Sequence, residues 1–281
     1  MKKVLAILLA AAMLLAFAAC SSKGKDAGGK KLLRVGMECA YAPYNWVQPT
    51  DANGAIPINN SKEYAYGYDV IMAKLLAEKA GYDGVEIHQI EWDNLPVALN
   101  AGQVDCVIAG QSITAKRLET VDFTTPYYYA SIVVLTSKDS PYASAAGISG
   151  LGGASCTSQL GTVWYDVCLP QIPDAKILTA TESAPAMLVA LDSGKCDLVV
   201  TDKPTAMAAV IAYPDLVTLD FTGKADNFQV SDEEINIGIS VKKGNSELLK
   251  ALNDALKDYT VEDFERMMNE AIAVQPMSNA D

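Results

Sequence analysis

The stretch from Asn94 to Arg117, NLPVALNAGQVDCVIAGQSITAKR, decides the fold. Its first apolar residues end at Gly102, a residue suited to the left-handed position that closes a helix. Residues 104–109 then form an apolar run of strand length that stops at Gly110, where backbone can approach a ligand closely. Thr114 offers a hydroxyl at a predicted helix start. Such a junction of strand end and helix start suits a small anion.

The same pattern returns 92 residues later, with six of eleven positions identical. Val97-Ala98-Leu99-x-x-Gly102-x-x-Asp105-x-Val107 is matched by Val189-Ala190-Leu191-x-x-Gly194-x-x-Asp197-x-Val199. The second copy reaches Asp202, at a strand end before a helix with proline in its first turn. The repeat predicts two α/β units that face each other, with Arg117 from one and Asp202 from the other in the cleft. The alternative is a common supersecondary unit with two ordinary surface charges.

The N-terminus has the pattern of an export signal. Lys2 and Lys3 precede an apolar run at 4–19, which is short for a membrane span. Small residues directly before Cys20 resemble the lipobox of bacterial lipoproteins, in which that cysteine carries lipid such as palmitate. An ordinary secretory signal is the alternative. We therefore expect a signal peptide at 1–19 and a lipid-anchored flexible tether at 20–30, rich in Gly, Ser and Lys.

Composition excludes several classes of function. Without Lys2 and Lys3, 20 basic residues face 34 acidic ones, a charge of −14 that argues against nucleic acid. His88 is the only histidine, and the cysteine spacing matches no zinc pattern, so we expect neither a metal nor a cofactor. Most cysteines after Cys20 are expected to be buried free thiols, although one disulfide is possible.

Aromatic and acidic residues follow other predicted strands. Glu38 and Tyr41 come just after the predicted strand at 32–37, and Trp92 follows the one at 85–90. Because α/β sheets bind ligands beyond the carboxyl ends of their strands, Glu38 and Tyr41 are assigned to the cleft. Trp92 fits ligand stacking or core packing equally well. Gly161 and Thr162 predict another helix start whose backbone amides can hold a carboxylate.

The chain is expected to cross between its units twice. A Pro-Tyr-rich bend at 127–131 is the first crossing, and a predicted strand at 235–241 leads back. The expected boundaries are 31–127 with 237–281 for lobe 1, and 131–233 for lobe 2. Asp69 is expected to cap a helix that begins at Val70.

With these features in place, the chain resembles the polar amino-acid-binding proteins of bacterial ABC importers. These are the family 3 solute-binding proteins, which have the two-lobed type II periplasmic-binding fold. The resemblance implies an α/β fold in which each lobe is a mainly parallel sheet flanked by helices. It rests on Tyr66-Gly67-Tyr68-Asp69, Glu91-Trp92-Asp93-Asn94-Leu95-Pro96-Val97-Ala98-Leu99, Ala109-Gly110-Gln111-Ser112-Ile113-Thr114-x-x-Arg117, Val121-Asp122-Phe123-Thr124-x-Pro126-Tyr127-Tyr128, Gln159-Leu160-Gly161-Thr162 and Thr201-Asp202-Lys203-Pro204.

The resemblance also implies how a ligand is held. The residue matching Arg117 makes paired hydrogen bonds to the ligand's α-carboxylate, which the amides of Ser112 and Val163 share. The α-ammonium meets the Gly110 carbonyl, the Ser112 hydroxyl and the Asp202 carboxylate. Glu38, Tyr41, Trp92 and Gln159 surround the ligand's side chain, and Thr162 stands beside Val163 in the lobe 2 turn.

An acid at position 38 favours a cationic or hydrogen-bond-donating side chain, such as that of arginine, lysine, histidine or glutamine. The implied partners are an ABC permease and, through the lipid, the outer face of the cell membrane, with the protein itself a monomer. The alternatives are a ligand sensor for a membrane receptor and a dehydratase on the same fold, for which Glu38 would be the general acid.

Overall fold

The structure is a computed structural model that describes residues 29–276. Its strands are β1 (Leu32–Met37), β2 (Ala40–Tyr41), β3 (Asn45–Gln48), β4 (Ile56–Pro57), β5 (Tyr64–Tyr66), β6 (Gly84–Gln89), β7 (Cys106–Val107), β8 (Val121–Phe123), β9 (Tyr128–Tyr129), β10 (Ile132–Ser137), β11 (Ser155–Thr157), β12 (Lys176–Ile177), β13 (Leu198–Asp202), β14 (Leu216–Asp220), β15 (Asn236–Ile237) and β16 (Ser240–Lys242). Its α-helices are α1 (Tyr68–Lys79), α2 (Leu95–Asn100), α3 (Ala115–Leu118), α4 (Ala184–Asp192), α5 (Lys203–Ala212), α6 (Asp232–Ile235), α7 (Ser246–Leu256) and α8 (Val261–Val274).

Two five-stranded sheets form the centres of two lobes. The lobe 1 sheet has the order β6-β1-β7-β16-β8, and the lobe 2 sheet has the order β12-β11-β13-β10-β14. The two-lobed α/β class predicted from the sequence is confirmed. In each sheet four strands run in one direction, as expected for a mainly parallel sheet, and one is reversed, because β16 and β10 each run antiparallel to both neighbours. The chain between β1 and α1 forms a smaller antiparallel sheet with the order β2-β3-β5-β4.

The two copies of the sequence repeat adopt the same local structure. Helices α2 and α4 are followed by Gly102 and Gly194, both with positive φ (74° and 71°), and then by β7 and β13. The strand predicted at 104–109 is only two residues long as β7, whereas β13 has five. Gly110 follows three residues after β7, and Asp202 is the last residue of β13 and contacts Tyr41 of lobe 1.

The chain passes between the sheets in two short strands that pair with each other. In this antiparallel ribbon, Tyr128 lies opposite Ile237 and Tyr129 opposite Asn236. The strand predicted at 235–241 is therefore divided into β15 and β16. The first half pairs with β9, whereas the second joins the lobe 1 sheet. Between them lies Gly238, where a Cβ would lie 2.7 Å from the Ile113 side chain.

The prediction that Asp69 caps a helix is wrong. Helix α1 already begins at Tyr68, with Gly67 as its N-cap residue, so Asp69 lies inside the first turn. Its carboxylate is fully buried and bonds to side chains from other segments rather than to the helix. Gly67 has a φ of 125°, and a Cβ at this position would lie 2.3 Å from the Tyr44 carbonyl oxygen.

The last helix, α8, is amphipathic and begins with a capping box between Thr260 and Asp263, as predicted. Its buried residues include Phe264, Met268 and Ile272. It contacts α1 of lobe 1, the crossing strand β9 and α5 of lobe 2. The C-terminal helix therefore packs on both lobes.

Five cysteines in the described part of the chain are buried free thiols, as expected for most of them: Cys39, Cys106, Cys156, Cys168 and Cys196. Within residues 29–276, no helix is long and apolar enough to cross a membrane.

Candidate ligand-binding site

A small cavity lies where the two lobes meet. Eight of the ten ligand-binding residues predicted from the sequence line it. The other two, Glu38 and Asp202, lie behind the lining and each contacts one lining residue. The lining residues are Tyr41, Trp92, Gly110, Ser112 and Arg117 from lobe 1, and Gln159, Thr162, Val163 and Trp164 from lobe 2.

Arg117 is held in a fixed orientation by its own lobe and the other. Thr114 caps α3 by accepting a hydrogen bond from the Arg117 amide (3.3 Å), which sets the start of the helix. Nη1 donates to the Ser112 carbonyl (2.8 Å), and Nη2 donates to the Gly161 carbonyl of lobe 2 (3.1 Å). The guanidinium also lies over the Trp92 ring, with its Cζ 5.2 Å from the ring centroid.

Arg117 has no ion-pair partner among the described residues, since no carboxylate oxygen lies within 4.0 Å of its guanidinium. Burial lowers its pKa to about 10, so it is still protonated at neutral pH. A half-buried guanidinium that contacts only carbonyl oxygens is suited to a carboxylate from outside the protein.

Asp202 is the acidic counterpart from lobe 2. Oδ1 accepts the Thr205 amide (2.9 Å), so the side chain caps α5. Oδ2 accepts the Thr205 hydroxyl (3.0 Å) and, across the cleft, the Tyr41 hydroxyl. The side chain is 1 % exposed, and burial raises its pKa. These contacts orient the carboxylate toward lobe 1.

Aromatic rings form one wall of the site. Tyr41 stacks on Tyr44, with ring centroids 4.7 Å apart, and its other side faces Trp164 at 6.0 Å. Gly110 lies directly against this wall: its φ is 62°, and a Cβ there would be 2.6 Å from the Tyr41 ring. A residue without a side chain is needed here so that backbone can face the cavity.

Ser112 contributes backbone groups that the neighbouring ladder does not use. Ser112 lies opposite Ile237 in an antiparallel bridge. The two hydrogen bonds of this bridge run from the Ile113 amide to the Asn236 carbonyl and from the Gly238 amide to the Gln111 carbonyl (both 2.9 Å). The Ser112 carbonyl therefore receives Arg117, and the Ser112 amide lies outside this ladder.

Lobe 2 meets lobe 1 through the turn that begins at Gln159. The Thr162 hydroxyl donates to the Gln159 carbonyl (2.7 Å), and residues 164–168 then form a single π-helical turn. The helix predicted from Gly161 and Thr162 is therefore short. Thr162 and Val163 lie at its start, facing the cavity.

Glu38 is the second acidic residue of the site and is 5 % exposed. Its Oε2 accepts a long hydrogen bond from Gln159 Nε2 (3.5 Å), while Oε1 has no partner among the described residues. Burial raises its pKa from 4.5 to about 7; the Gln159 hydrogen bond opposes this shift, and Glu91 and Asp93 add to it. A buried carboxylate oxygen without a donor calls for an explanation, which a donor group of a ligand or a water molecule would supply.

Three residues of the site were not predicted as such. Trp164 lines the cavity, and its position directly after Val163 was the available signal. Glu91 and Asp93, which flank the predicted Trp92, add negative potential at Glu38. No group of His, Cys, Asp and Glu suited to a metal ion occurs in the described part of the chain.

Comparison with known proteins identifies one family. Residues 33–270 match the family described as bacterial extracellular solute-binding proteins, family 3. A "probable histidine-binding protein" of Neisseria gonorrhoeae is 31 % identical over 92 % of this chain and 90 % of its own. The arginine-binding extracellular protein ArtP of Bacillus subtilis is 30 % identical over 92 % of each chain. An amino acid ABC transporter substrate-binding protein from Streptococcus pneumoniae, solved with L-arginine, has a TM-score of 0.73, 25 % identity, and coverage of 86 % of this chain and 94 % of its own.

Proposed function

Because this chain belongs to the bacterial extracellular solute-binding proteins of family 3, we propose that it captures one amino acid and delivers it to an ABC transporter permease. The observation that carries the proposal is the charge arrangement of the cleft. Arg117 of lobe 1 has no ion-pair partner among the described residues, and Asp202 of lobe 2 lies behind the lining of the same cavity, where its carboxylate accepts the Tyr41 hydroxyl. One fixed cation and one fixed anion suit the two ends of a zwitterion. The family is one of solute-binding proteins and not of enzymes.

The α-carboxylate of the ligand is assigned to Arg117. The guanidinium presents parallel N–H donors, and a carboxylate accepts two of them at once. The amides of Ser112 and Val163 flank this position and supply further donors. Trp92 shields the pair from water because its ring lies against the guanidinium.

The α-ammonium is assigned to the Gly110 carbonyl, the Ser112 hydroxyl and Asp202. Because Thr205 and Tyr41 already fix the Asp202 carboxylate, no side-chain freedom is lost there when the ligand binds. A ligand of about ten heavy atoms held in this way can reach micromolar affinity or better, at about 0.8 kcal/mol per atom.

The ligand's side chain is assigned to the pocket of Glu38, Tyr41, Trp92 and Gln159. Oε1 of Glu38 has no hydrogen-bond donor among the described residues, and Glu91 and Asp93 increase the negative potential at this carboxylate. A guanidinium supplies both a donor and a positive charge. Two of the three relatives described above carry arginine in their names or were solved with it. We therefore place L-arginine first, ahead of lysine, histidine and glutamine.

Delivery requires the lobes to open and close. We propose lobe boundaries of 31–127 with 237–281 and 131–233, with the β9-β15 ribbon as the hinge. A ligand that contacts Arg117 on one lobe and Asp202 on the other stabilises the closed form, which the permease then recognises. A monomer suffices for this cycle, because both halves of the site belong to one chain.

The location is proposed from the N-terminal sequence, since the signal peptide and Cys20 lie outside residues 29–276. Cleavage before Cys20 and its acylation would hold the protein at the outer face of the cell membrane. Replacing Cys20 by Ala is expected to move the protein from the membrane fraction to the medium or periplasm, as followed by immunoblot. Retention in the membrane fraction would argue against the lipid anchor.

A thermal-shift screen tests the proposed ligand class. The purified protein, unfolded and refolded to remove carried-over ligand, is heated with each of the twenty amino acids. A compound that binds only the folded state raises the melting temperature by mass action. We expect the largest rise with L-arginine and smaller rises with other polar or cationic amino acids. Stabilisation by none of the twenty would contradict the proposed function.

Replacing Glu38 by Gln is expected to change ligand preference. Loss of the carboxylate removes the partner of a cationic side chain, so L-arginine affinity at pH 8 should fall by about tenfold or more. L-glutamine affinity should change much less, because the amide introduced by Glu38→Gln still offers an oxygen. Calorimetry with both ligands measures the ratio, and Glu78→Gln, which changes an exposed carboxylate of α1 that does not act on Glu38, is the matched control. An unchanged ratio would place Glu38 outside the ligand pocket.

Glu38 also predicts a pH dependence. Its folded pKa of about 7 lies above the ordinary 4.5, so its contribution to stability is fully present below pH 4.5 and is lost as pH rises through 7. Glu38→Gln should therefore melt higher than the wild type at pH 8 and equally at pH 4.5. A cation binds the ionised form, so L-arginine affinity should weaken about thirtyfold from pH 8 to 5.5. The difference between the two proteins separates Glu38 from Asp69 and Asp202, whose pKa values burial also raises. A difference in melting temperature between Glu38→Gln and the wild type that stays constant from pH 4.5 to pH 8 would contradict the assignment.

A further inference from the structure

The buried carboxylate of Asp69 has no role in the ligand contacts described so far. It is 0 % exposed, and no basic side chain forms an ion pair with it among residues 29–276. Its two oxygens instead accept hydrogen bonds from two side chains: Oδ2 from Asn45 Nδ2 (2.7 Å) and Oδ1 from the Tyr127 hydroxyl (2.6 Å). A buried carboxylate is costly without such partners, so a role is expected for it.

The backbone around Asp69 is shaped to place it there. Gly67 passes so close to Tyr44 that no Cβ fits, and the amides of Tyr68 and Asp69 donate to the carbonyls of Pro43 (3.0 Å) and Tyr44 (2.8 Å). The motif Tyr66-Gly67-Tyr68-Asp69 thus starts a helix whose first turn points a carboxylate into the interior of lobe 1.

Each partner of Asp69 holds the backbone of one binding loop. The Tyr127 hydroxyl, which donates to Asp69, accepts the Gly110 amide (3.1 Å). Asn45, on the other side, accepts the Cys39 amide through Oδ1 (2.7 Å). Gly110 belongs to the ammonium end of the proposed site, and Cys39 follows Glu38 at the side-chain end. One carboxylate therefore connects the two loops.

Tyr127 also connects this network to the hinge. Its amide donates to the Ile237 carbonyl (2.9 Å) directly before β9, and its carbonyl accepts the Tyr68 hydroxyl. The Tyr68 and Tyr127 rings stack with centroids 5.6 Å apart and an interplanar angle of 7°. The side chain that holds Gly110 is thus attached to the segment where the chain leaves lobe 1.

We propose that Asp69 is a positioning residue for amino-acid binding: through Tyr127 and Asn45 it fixes the Gly110 and Cys39 backbones at the two ends of the ligand. This inference rests on the proposed function for its effect on affinity, whereas the connection itself can be measured without ligand.

Tyr127→Phe tests the connection from Asp69 through Tyr127 to Gly110, because it removes only the hydroxyl between Asp69 and Gly110. We expect the affinity for every bound amino acid to fall by about tenfold, with the order of preference unchanged, because the ammonium end is common to all of them. The matched control is Tyr66→Phe, which removes a hydroxyl that makes no hydrogen bond among the described residues, on a ring that packs against Trp46. Its affinities should stay within about twofold of the wild type, because that hydroxyl bonds to neither Tyr127 nor Asp69.

Asp69→Asn tests the connections through Tyr127 and through Asn45 together. Tyr127 and Asn45 donate to different oxygens of Asp69, and asparagine replaces one of these oxygens by an NH2 donor, so only one of the two bonds can be kept. If Asn45 turned its oxygen toward the new amide, the Cys39 amide would lose its acceptor. We therefore expect a loss of affinity at least as large as in Tyr127→Phe, together with a changed order of ligand preference, because the Glu38 loop is also released.

Amide hydrogen exchange of the purified protein, followed by NMR without ligand, tests the connection directly. In Tyr127→Phe the Gly110 amide should exchange faster, while the Cys39 amide should stay protected; in Asp69→Asn both should exchange faster. Calorimetry on the same proteins gives the affinities. Equal affinity losses in Tyr127→Phe and Tyr66→Phe, or unchanged exchange at Gly110, would overturn the inference. If the wild type bound no amino acid, the proposed function would fail, while the exchange data would still decide whether Asp69 holds these loops.

Discussion

Replacing Arg117 by Ala is expected to weaken L-arginine binding by about a hundredfold or more. The change leaves the ligand's carboxylate enclosed without its counter-charge, and removing one partner of such a buried pair costs about 3 kcal/mol or more. The fold should persist, since Arg117 bonds only to two carbonyl oxygens and lies on a helix of four residues.

Two comparisons make this prediction specific. Lys116→Ala removes an exposed positive charge from the same helix and should leave affinity within about twofold of the wild type. Agmatine, which is arginine without its α-carboxylate, should bind the wild type and Arg117→Ala about equally. Calorimetry measures the binding of L-arginine and of agmatine to both the wild type and Arg117→Ala. An equal loss for L-arginine and agmatine in Arg117→Ala would mean that Arg117 acts on something other than the carboxylate.

Asp202→Asn is expected to produce a loss of similar size with a different ligand profile. Asparagine caps helices about as well as aspartate, so the bond from the Thr205 amide can be kept while the negative charge is lost. The ligand's ammonium then has no counter-charge in the cleft, and affinity should fall by about a hundredfold. Agmatine retains that ammonium, so its binding should weaken as well.

The matched control for this change is Asp220→Asn. Asp220 ends β14 of the same sheet and pairs on the surface with Lys203 (3.1 Å), outside the cleft. It should change affinity by less than about twofold. Calorimetry that found Asp202→Asn within about threefold of the wild type would show that the ammonium is held elsewhere.

Much of the fold could be predicted because it is encoded in local patterns. The helix, glycine and strand that precede Gly110 recur before Asp202, and both copies form the predicted elements. Short-range signals, such as the Thr114 and Thr260 caps, act within one turn and can be recognised from spacing alone.

The parts that could not be predicted depend on long-range contacts. Asp69 has the sequence position of a helix cap, but its partner Tyr127 is 58 residues away, and no local pattern shows that pairing. The same holds for Tyr41 and Asp202, which meet across the cleft from positions 161 residues apart. The division of the predicted strand at 235–241 likewise follows from long-range pairing, since its first half pairs with β9 and its second half with β7 and β8.

Within the site, the sequence predicts which residues take part better than it predicts how deeply each is buried and what it bonds to. Arg117 and Asp202 were assigned from the repeat and the charges at its two ends. The open Oε1 of Glu38 and its raised pKa depend on burial, which only the folded chain defines. Ligand preference is decided by such details, so the order of amino acids could not be predicted from the sequence.

The most direct test of the account is a calorimetric titration of the refolded wild-type protein with L-arginine and, in parallel, with agmatine. We expect one L-arginine site per chain with micromolar affinity or better, and agmatine binding at least about a hundredfold weaker because it cannot use Arg117. Agmatine binding as tight as that of L-arginine would contradict the assignment of Arg117 to the α-carboxylate. The absence of any saturable heat with L-arginine would contradict its place as the first ligand.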